Sequence, residues 1–324
     1  MQPKRRLDVT QCNFKLPPMP NSDVNRACAK LASFAICFEQ LMAADMNRIL
    51  NDHNFPRFLS APTPQDFLIF FTAHAHERDR PNNFPEPHRQ ALRAELNQHS
   101  VLDAEFAKRV WERFENLTAP KTNVHLTRGP VEGILQMVKD DNNRSQNSGS
   151  LLSFARNQGD PIASWKAHLS QPHLKRLGRK VSAFWLRDLQ YFFEVWDRGD
   201  RSPAFQPLDL WVLRWCKKFW PGHNEDATNS KWDIGLSPAR YLEVANQLIR
   251  ALPDSVNPIK FNMAAWFCGR FLNECLCASG VFFVGPAKFN DIPPDPLLSL
   301  VSQLNADRTN KAIRNANELD WRGD

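Results

Sequence analysis

Apolar side chains recur every three or four positions along most of this chain, which is the spacing of one face of an α-helix. Alternating patterns typical of β-strands are scarce, and glycine is rare, with 12 in 324 residues. The pattern therefore predicts an all-α fold. From residue 181 the helical spacing continues over several turns, with apolar residues at Val181, Phe184, Trp185, Leu189, Phe192, Phe193 and Trp196.

Helices are predicted wherever this spacing continues between proline-rich or polar breaks. The most polar break is 139–149, which is rich in turn-forming residues. The predicted helices cover about residues 24–51, 67–76, 88–98, 102–116, 131–138, 150–157, 161–170, 181–196, 210–220, 238–251 and 261–279.

Composition narrows the class of protein. A hydrophobic fraction of 42% and a charged fraction of 23% are ordinary for a soluble globular protein. The net charge of +6 and the pI near 9.0 favour an anionic partner. We expect no apolar run long enough to span a bilayer and no secretory signal after the basic N-terminus. The 7 cysteines, odd in number and irregularly spaced, indicate reduced thiols inside a cell.

Two short segments carry the candidate chemistry. Residues 174–182 predict a tight turn that leads into a helix, with Lys180 in its first turn, and residues 205–214 place Asp209 at the start of another helix. An amine and a carboxylate presented by two helix starts form a minimal set for removing a base from DNA. Gly178 would allow the turn a close approach to a phosphate and left-handed backbone angles.

Positive charge surrounds this turn. Lys175, Arg176 and Arg179 flank Gly178 and are, with it, the candidate DNA-binding residues. Phosphate contacts of this kind give affinity and register rather than sequence recognition.

These segments resemble the helix–hairpin–helix (HhH-GPD) DNA glycosylases, the superfamily of endonuclease III and the bifunctional 8-oxoguanine glycosylases. The family hairpin, Leu-Pro-Gly-Val-Gly-x-Lys followed by small or apolar residues, is matched by Leu-Lys-Arg-Leu-Gly-Arg-Lys-Val-Ser at 174–182. The family's Pro-(Val/Leu)-Asp and the arginine a turn later are matched at 207–214. Residues 134–136 resemble the helix before the strand-wedging loop. The resemblance covers about 128–220.

The resemblance implies a fold, a function and roles. It implies a two-lobed glycosylase fold, with 128–230 as the HhH-GPD-like core, an additional helical N-terminal region over 1–127, and C-terminal helices over 231–324 that pack back on the N-terminal lobe. It also implies a bifunctional glycosylase that excises a damaged or modified base. Lys180 would be the Schiff-base nucleophile. Its amine must be neutral for this role, and burial or neighbouring cations would lower its pKa. Asp209 would stabilise the sugar cation.

The chain departs from the family at two points. Lys175 and Arg176 replace the family's Pro-Gly, and Lys180 and Asp209 stand 29 positions apart (209 minus 180), further than in most relatives. The helix after Lys180 and the loop 198–203 would have to absorb the excess; archaeal 8-oxoguanine glycosylases also carry a long insertion here. The alternative interpretation makes Lys180 a phosphate-binding surface lysine and Asp209 a helix cap.

A glycosylase must also fill the gap left by the flipped base and bind that base. The candidate wedge lies after the 131–138 helix, and its alternative is a solvated loop. The candidate base pocket is aromatic, and its alternative is ordinary core packing. The wedge candidates are Asn142, Asn143 and Arg144, and the pocket candidates are Trp211, Trp215, Trp266 and Phe267.

No cofactor is predicted. Cys268, Cys275 and Cys277 lack the fourth cysteine and the spacing of the family's iron–sulfur cluster, and His74 and His76 have no matching ligand set. A structural monovalent cation at the hairpin is compatible with the resemblance.

The predicted partner is double-stranded DNA, bound by a monomer, without a membrane. The compartment would be the cytoplasm (nucleoid) in a prokaryote or the nucleus in a eukaryote. The target base is not indicated. The alternatives are a monofunctional glycosylase that uses only Asp209, a non-catalytic DNA-binding protein, and a helical scaffold that uses the N-terminal region.

Overall fold

The structure of the protein is a computed structural model. It describes residues 22–49, 55–60, 62–75, 85–99, 102–117, 132–136, 138, 159–170, 178–197, 199–219, 236–277, 280–286, 300 and 303–304. Over these ranges the chain is mainly helical, as its hydrophobic spacing predicted.

Eleven helices and one hairpin are numbered here within the described ranges. The helices are α1 (Ser22–Ser33), α2 (Ala35–Ile49), α3 (Phe55–Ser60), α4 (Pro64–Ala75), α5 (Pro85–Gln98), α6 (Ala104–Leu117), α7 (Pro161–Ser170), α8 (Arg179–Phe193), α9 (Leu210–Phe219), α10 (Pro238–Ala251) and α11 (Pro258–Phe271). Strands β1 (Leu272–Cys277) and β2 (Gly280–Pro286) follow α11 directly.

Most predicted helices are present at nearly the predicted bounds. α7 and α10 each begin at a proline, which suits the first turn of a helix because its missing N–H is not needed there. The predicted helix 24–51 is instead two helices, because the chain turns at Phe34 and its carbonyl accepts the N–H of Cys37 at 2.9 Å. The predicted helix 150–157 lies outside the described residues.

The prediction of a helix over 261–279 is wrong in its second half. α11 ends at Phe271, and the chain continues as β1, which pairs antiparallel with β2. In this register Glu274 lies opposite Phe283, and Cys277 lies opposite Gly280. β1 is stabilised by pairing with β2, which follows it in sequence. The spacing of apolar residues within 261–279 alone therefore could not predict a strand.

α8 is the central helix of the fold. All ten residues from Val181 to Gln190 are buried, so the helix is packed on every face rather than along one stripe. It lies against α7 and α4, and the indole N–H of Trp185 donates to the carbonyl of Phe71 at 3.2 Å. Its first turn, which carries Lys180, therefore leads directly into a fully buried segment.

The N-terminal helices share one core with the C-terminal part of the chain. α1 and α2 pack against α11, where the Phe38 and Trp266 rings meet edge to face with centroids 5.5 Å apart. Contrary to the expectation from sequence, one stretch, Asn25–Ala44, is long and apolar enough to cross a membrane, with a mean hydropathy of 1.3. Half of it is buried inside the fold, and the core helix of a soluble protein has the same properties.

His88 makes stability sensitive to acid. Its side chain is 2% exposed and meets the Phe114 ring edge to face at 5.5 Å. Burial, aided by the charge of Arg89, lowers the pKa of His88 to about 3. As the pH falls, the His88 imidazole is therefore protonated in the unfolded chain before it is protonated in the folded one. The stability that neutral His88 contributes is present above about pH 6.5 and is lost as the pH falls to about 3.

We expect the free energy of unfolding to fall by about 2 kcal/mol more between pH 7 and pH 5 in the wild type than in His88→Gln, because glutamine does not titrate. Urea unfolding at the two pH values measures the difference. Equal losses in the two proteins would show that His88 is not the group responsible.

Candidate active site around Lys180 and Asp209

Lys180 is the second residue of α8 and is half-buried. Gly178 is the residue before the helix, with φ −76° and ψ −173°. This is extended backbone, so the expectation that Gly178 adopts a left-handed angle is wrong, because the chain enters α8 from an ordinary extended conformation. Arg179 is also half-buried, while Lys175 and Arg176 lie outside the described residues.

Asp209 is the N-cap of α9. Its Oδ1 accepts the N–H of Val212 at 2.8 Å, which satisfies one of the donors that the first helical turn leaves open. The side chain is only 5% exposed. The structure therefore agrees with the alternative interpretation that Asp209 is a helix cap. Unlike the N-cap Asp103, which is exposed, Asp209 is buried.

Lys180 and Asp209 lie near enough for the charge of the lysine to act on the carboxyl of the aspartate. Burial raises the pKa of the Asp209 carboxyl, and the positive charge of Lys180 is the strongest influence that opposes it. The backbone N–H groups of Val212 and Trp211 and the charge of Arg187 act in the same direction as Lys180. A carboxylate at the start of one helix is thus influenced electrostatically by an amine at the start of another.

The long spacing between the two residues is taken up by an ordered connection. After α8 the chain reverses through Glu194, and the amide of Gln190 pairs with both the N–H (2.9 Å) and the carbonyl (3.2 Å) of Trp196. Asn257, just before α11, donates to Asp200 in the same loop. A short 3-10 helix, Pro203–Phe205, then leads to Asp209.

Arg187 is a charged residue of this region that the sequence did not single out. It is fully buried and donates from Nε to Asp188 at 2.6 Å and from Nη1 to Asn262 at 2.9 Å. Its guanidinium also lies 4.7 Å from the ring centroids of Phe38 and Phe184. A charge pair in the middle of an apolar helix was the available signal, since such groups are buried only when paired.

Asn262 connects this buried charge to the segment before Asp209. Its Nδ2 donates to the Gln206 side chain at 3.3 Å and to the Pro207 carbonyl at 3.2 Å. The approach to Asp209 is therefore fixed from α11 as well as from α8.

The four aromatic pocket candidates divide into two groups. Trp215 is buried and donates to the carbonyl of Ala265 at 3.1 Å, and Trp266 and Phe267 are buried in the core. These positions favour core packing for the three. Trp211 is only half-buried, two positions after Asp209, so it stays a pocket candidate; the guanidinium of Arg214 lies 4.6 Å from its ring.

Gly269 leaves room for Trp211. A Cβ at this helical position would lie 2.9 Å from Cε3 and 3.0 Å from Cβ of Trp211. Gly269→Ala should therefore displace the indole and lower the free energy of unfolding by roughly 1–3 kcal/mol, although alanine is the better helix former.

Chemical denaturation of a double-mutant cycle with Trp211→Leu tests this prediction. With the indole removed, the same Gly269→Ala change should become neutral or stabilising. Destabilisation of equal size in both backgrounds would show that Trp211 is not the cause.

Two cysteines, Cys216 on α9 and Cys268 on α11, are buried. Burial raises the pKa of Cys216 to about 12, and the negative charge of Asp209 contributes to the shift. Burial also raises the pKa of Cys268, on α11, well above its ordinary value. Among the residues that the structure describes, no group of three or more histidine, cysteine, aspartate or glutamate side chains is arranged to hold a metal ion. The wedge candidates Asn142, Asn143 and Arg144 fall outside those residues.

In comparisons with known proteins, the chain matches no family model, no curated protein and no solved structure. The residues around Lys180 and Asp209, with their geometry, are therefore what supports a function.

Proposed function

We propose that this chain is a DNA glycosylase of the helix–hairpin–helix type, with lyase activity, that excises a damaged or modified base from double-stranded DNA. The observation that supports the proposal is the influence of the Lys180 charge on the buried carboxyl of Asp209. These two residues begin two different helices, lie far apart in sequence, and are close enough for the lysine charge to act on a buried carboxylate.

Lys180 supplies the nucleophile in this mechanism. Its neutral amine attacks C1′ of the flipped nucleotide, the bond between C1′ and the base breaks, and the base leaves with the electron pair and takes up a proton. One proton then passes from the attached amine, by way of Asp209, to O4′ as the bond between C1′ and O4′ breaks, which opens the sugar ring and leaves a protonated imine between the lysine and C1′. Removal of a proton from C2′ then breaks the bond between C3′ and its oxygen, which releases the 3′ phosphodiester and nicks the strand.

Asp209 has two tasks that its environment suits. Its carboxylate stabilises the positive charge that develops on the sugar, and the burial of the site strengthens this interaction because little water screens it. It also takes the proton that the amine loses. Burial raises the pKa of Asp209, and a carboxylate of higher pKa is a better general base.

The DNA-binding part of the proposal rests on charge. A net charge of +6 gives the chain an attraction to phosphate. In the proposal Lys175, Arg176, Gly178 and Arg179 contact the backbone next to the site, and the wedge comes from Asn142, Asn143 and Arg144. Trp211, half-buried two positions after Asp209, is the aromatic residue that would stack on the base in this proposal.

One observation favours a second candidate, a monofunctional glycosylase. Asp209 is buried, whereas Lys180 is only half-buried. In this version Asp209 activates a water molecule that attacks C1′, and Lys180 supplies only positive charge. The base is released, but no covalent bond to the protein forms and no strand is nicked.

Borohydride trapping on a panel of lesions tests the proposal. Duplexes that carry 8-oxoguanine, an oxidised pyrimidine or a hypermodified pyrimidine are incubated with the protein, and base release, strand nicking and the reduced covalent adduct are measured. Release with an adduct supports the bifunctional enzyme, and release without one supports the monofunctional enzyme. Tight, salt-dependent binding without release from any duplex would contradict both and leave a DNA-binding protein.

A further inference from the structure

Trp165 and Tyr241 form a stacked pair in the interior next to the site. Both side chains are fully buried, and their ring centroids lie 5.3 Å apart with the planes 22° from parallel. Trp165 belongs to α7 and Tyr241 to α10, so the pair joins two helices that carry neither Lys180 nor Asp209. We call this pair the aromatic brace.

The tryptophan end of the brace is tied to the start of α8. The indole N–H of Trp165 donates to the carbonyl of Arg179 at 3.1 Å. Arg179 is the first residue of α8 and precedes Lys180 directly. The bond therefore fixes the helical turn from which the lysine side chain extends.

The tyrosine end is tied to the segment before Asp209. The hydroxyl of Tyr241 accepts the N–H of Leu208 at 3.0 Å and donates to the carbonyl of Gln206 at 3.1 Å. Gln206 and Leu208 are buried, and one hydroxyl satisfies a donor and an acceptor that would otherwise lack partners in the core. Asp209 follows at once.

We propose that Trp165 and Tyr241 are positioning residues, which hold the start of α8 and the segment before Asp209 at a fixed separation and so set the distance between the Lys180 amine and the Asp209 carboxylate. Two planar aromatic rings in contact keep the elements attached to them at a fixed separation, because neither ring can shorten or bend. The kinetic consequence rests on the proposed function, but the separation itself is a property of the folded chain.

Catalysis by groups on separate elements is sensitive to such a separation. A misplacement of about 1 Å can reduce a rate by roughly 10²-fold. Tyr241→Phe keeps the ring and removes the hydroxyl, which frees the 206–208 segment. Trp165→Phe keeps an aromatic ring and removes the N–H, which frees the start of α8.

The first test needs no DNA. NMR titration of the Asp209 carboxyl carbon gives its pKa with Lys180 and with Lys180→Gln, and the difference measures how strongly the lysine charge reaches the aspartate. We expect Tyr241→Phe and Trp165→Phe each to reduce this difference to less than half. An unchanged difference in the folded variants would overturn the proposal, whether or not the protein is a glycosylase.

The second test is kinetic and uses a duplex that the wild type cleaves. Single-turnover base release should slow by roughly 10- to 100-fold in Tyr241→Phe while the Kd for the duplex stays the same. Tyr191→Phe is the matched control, because the other tyrosine of the chain also donates its hydroxyl, to Glu39 at 3.0 Å, away from the brace. Equal rates in the two variants would overturn the positioning role.

The two tests separate the proposals. If the wild type releases no base, the proposed function fails, while the titration still decides on the brace. If the wild type is active and neither measurement responds to Tyr241→Phe, the brace fails and the proposed function stands. Thermal unfolding of each variant confirms that the compared proteins are folded.

Discussion

Asp209→Asn should reduce base release by roughly 10³-fold and leave the protein as stable as before, or more stable. Asparagine removes the charge that would stabilise the sugar cation and accept the amine proton. It keeps a side-chain oxygen that can accept the N–H of Val212, so α9 keeps its N-cap. Single-turnover excision measures the first effect, and urea unfolding at pH 7 measures the second.

The difference in stability between the wild type and Asp209→Asn should depend on pH in one direction. Burial raises the pKa of Asp209 above its ordinary value, so the folded wild type binds a proton that the unfolded chain has already released. The stability of the wild type relative to Asp209→Asn should therefore decrease as the pH rises from about 4 through the folded pKa. A relative stability that increases over this range would contradict a buried, destabilising carboxylate.

Asp103→Asn is the matched control for this variant. Asp103 caps α6 in the same way, with Oδ1 accepting the N–H of Phe106 at 2.6 Å, but it is exposed. Excision should not change in Asp103→Asn. A comparable loss of activity in both variants would indicate a general effect of helix capping rather than a chemical role for Asp209.

Lys180→Gln should abolish the adduct that borohydride traps, with a loss of at least about 10²-fold, because glutamine cannot form an imine. Strand nicking should disappear with it. Base release should fall less than in Asp209→Asn if water can replace the amine as nucleophile. Gel quantification of the trapped complex, alongside release of the free base, measures both.

Lys166→Gln controls for the loss of one positive charge. Lys166 is exposed on α7, the helix that packs against α8. Its variant should keep the adduct and the nick at wild-type rates. An adduct that persists in Lys180→Gln would identify another amine as the nucleophile and remove Lys180 from the mechanism.

The start of the helix that follows Asp209 could be predicted from the sequence because it depends on a local signal. Asp209 follows a proline and precedes an apolar helix, which is a local pattern for a helix start, and the structure has α9 beginning at Leu210. For Arg187 the sequence offered only the neighbouring charge of Asp188 as a signal, and its burial could not be predicted from a local pattern. If only one face of α8 were apolar and buried, Arg187 would face the solvent. In the structure α8 is buried on all sides, because other helices pack around it.

The brace was beyond prediction for a similar reason. Trp165 and Tyr241 are 76 positions apart (241 minus 165), and their hydrogen bonds go to backbone atoms, which carry no signal in a sequence. The amino-acid composition gives one indirect indication of the role of Tyr241. The chain has 23 phenylalanines and 2 tyrosines, and a hydroxyl kept where phenylalanine is the usual choice suggests that the oxygen is needed.

The packing of α2 on α11 limits how this protein can be divided. Phe38 of α2 lies against both the Arg187 guanidinium and the Trp266 ring, so the N-terminal part of the chain closes the interior beneath the site. A chain truncated to begin after residue 127 would open that interior to water and remove Phe38, one of the two rings that lie over the Arg187 guanidinium. The region around Lys180 and Asp209 should therefore not fold as a separate unit without the N-terminal helices.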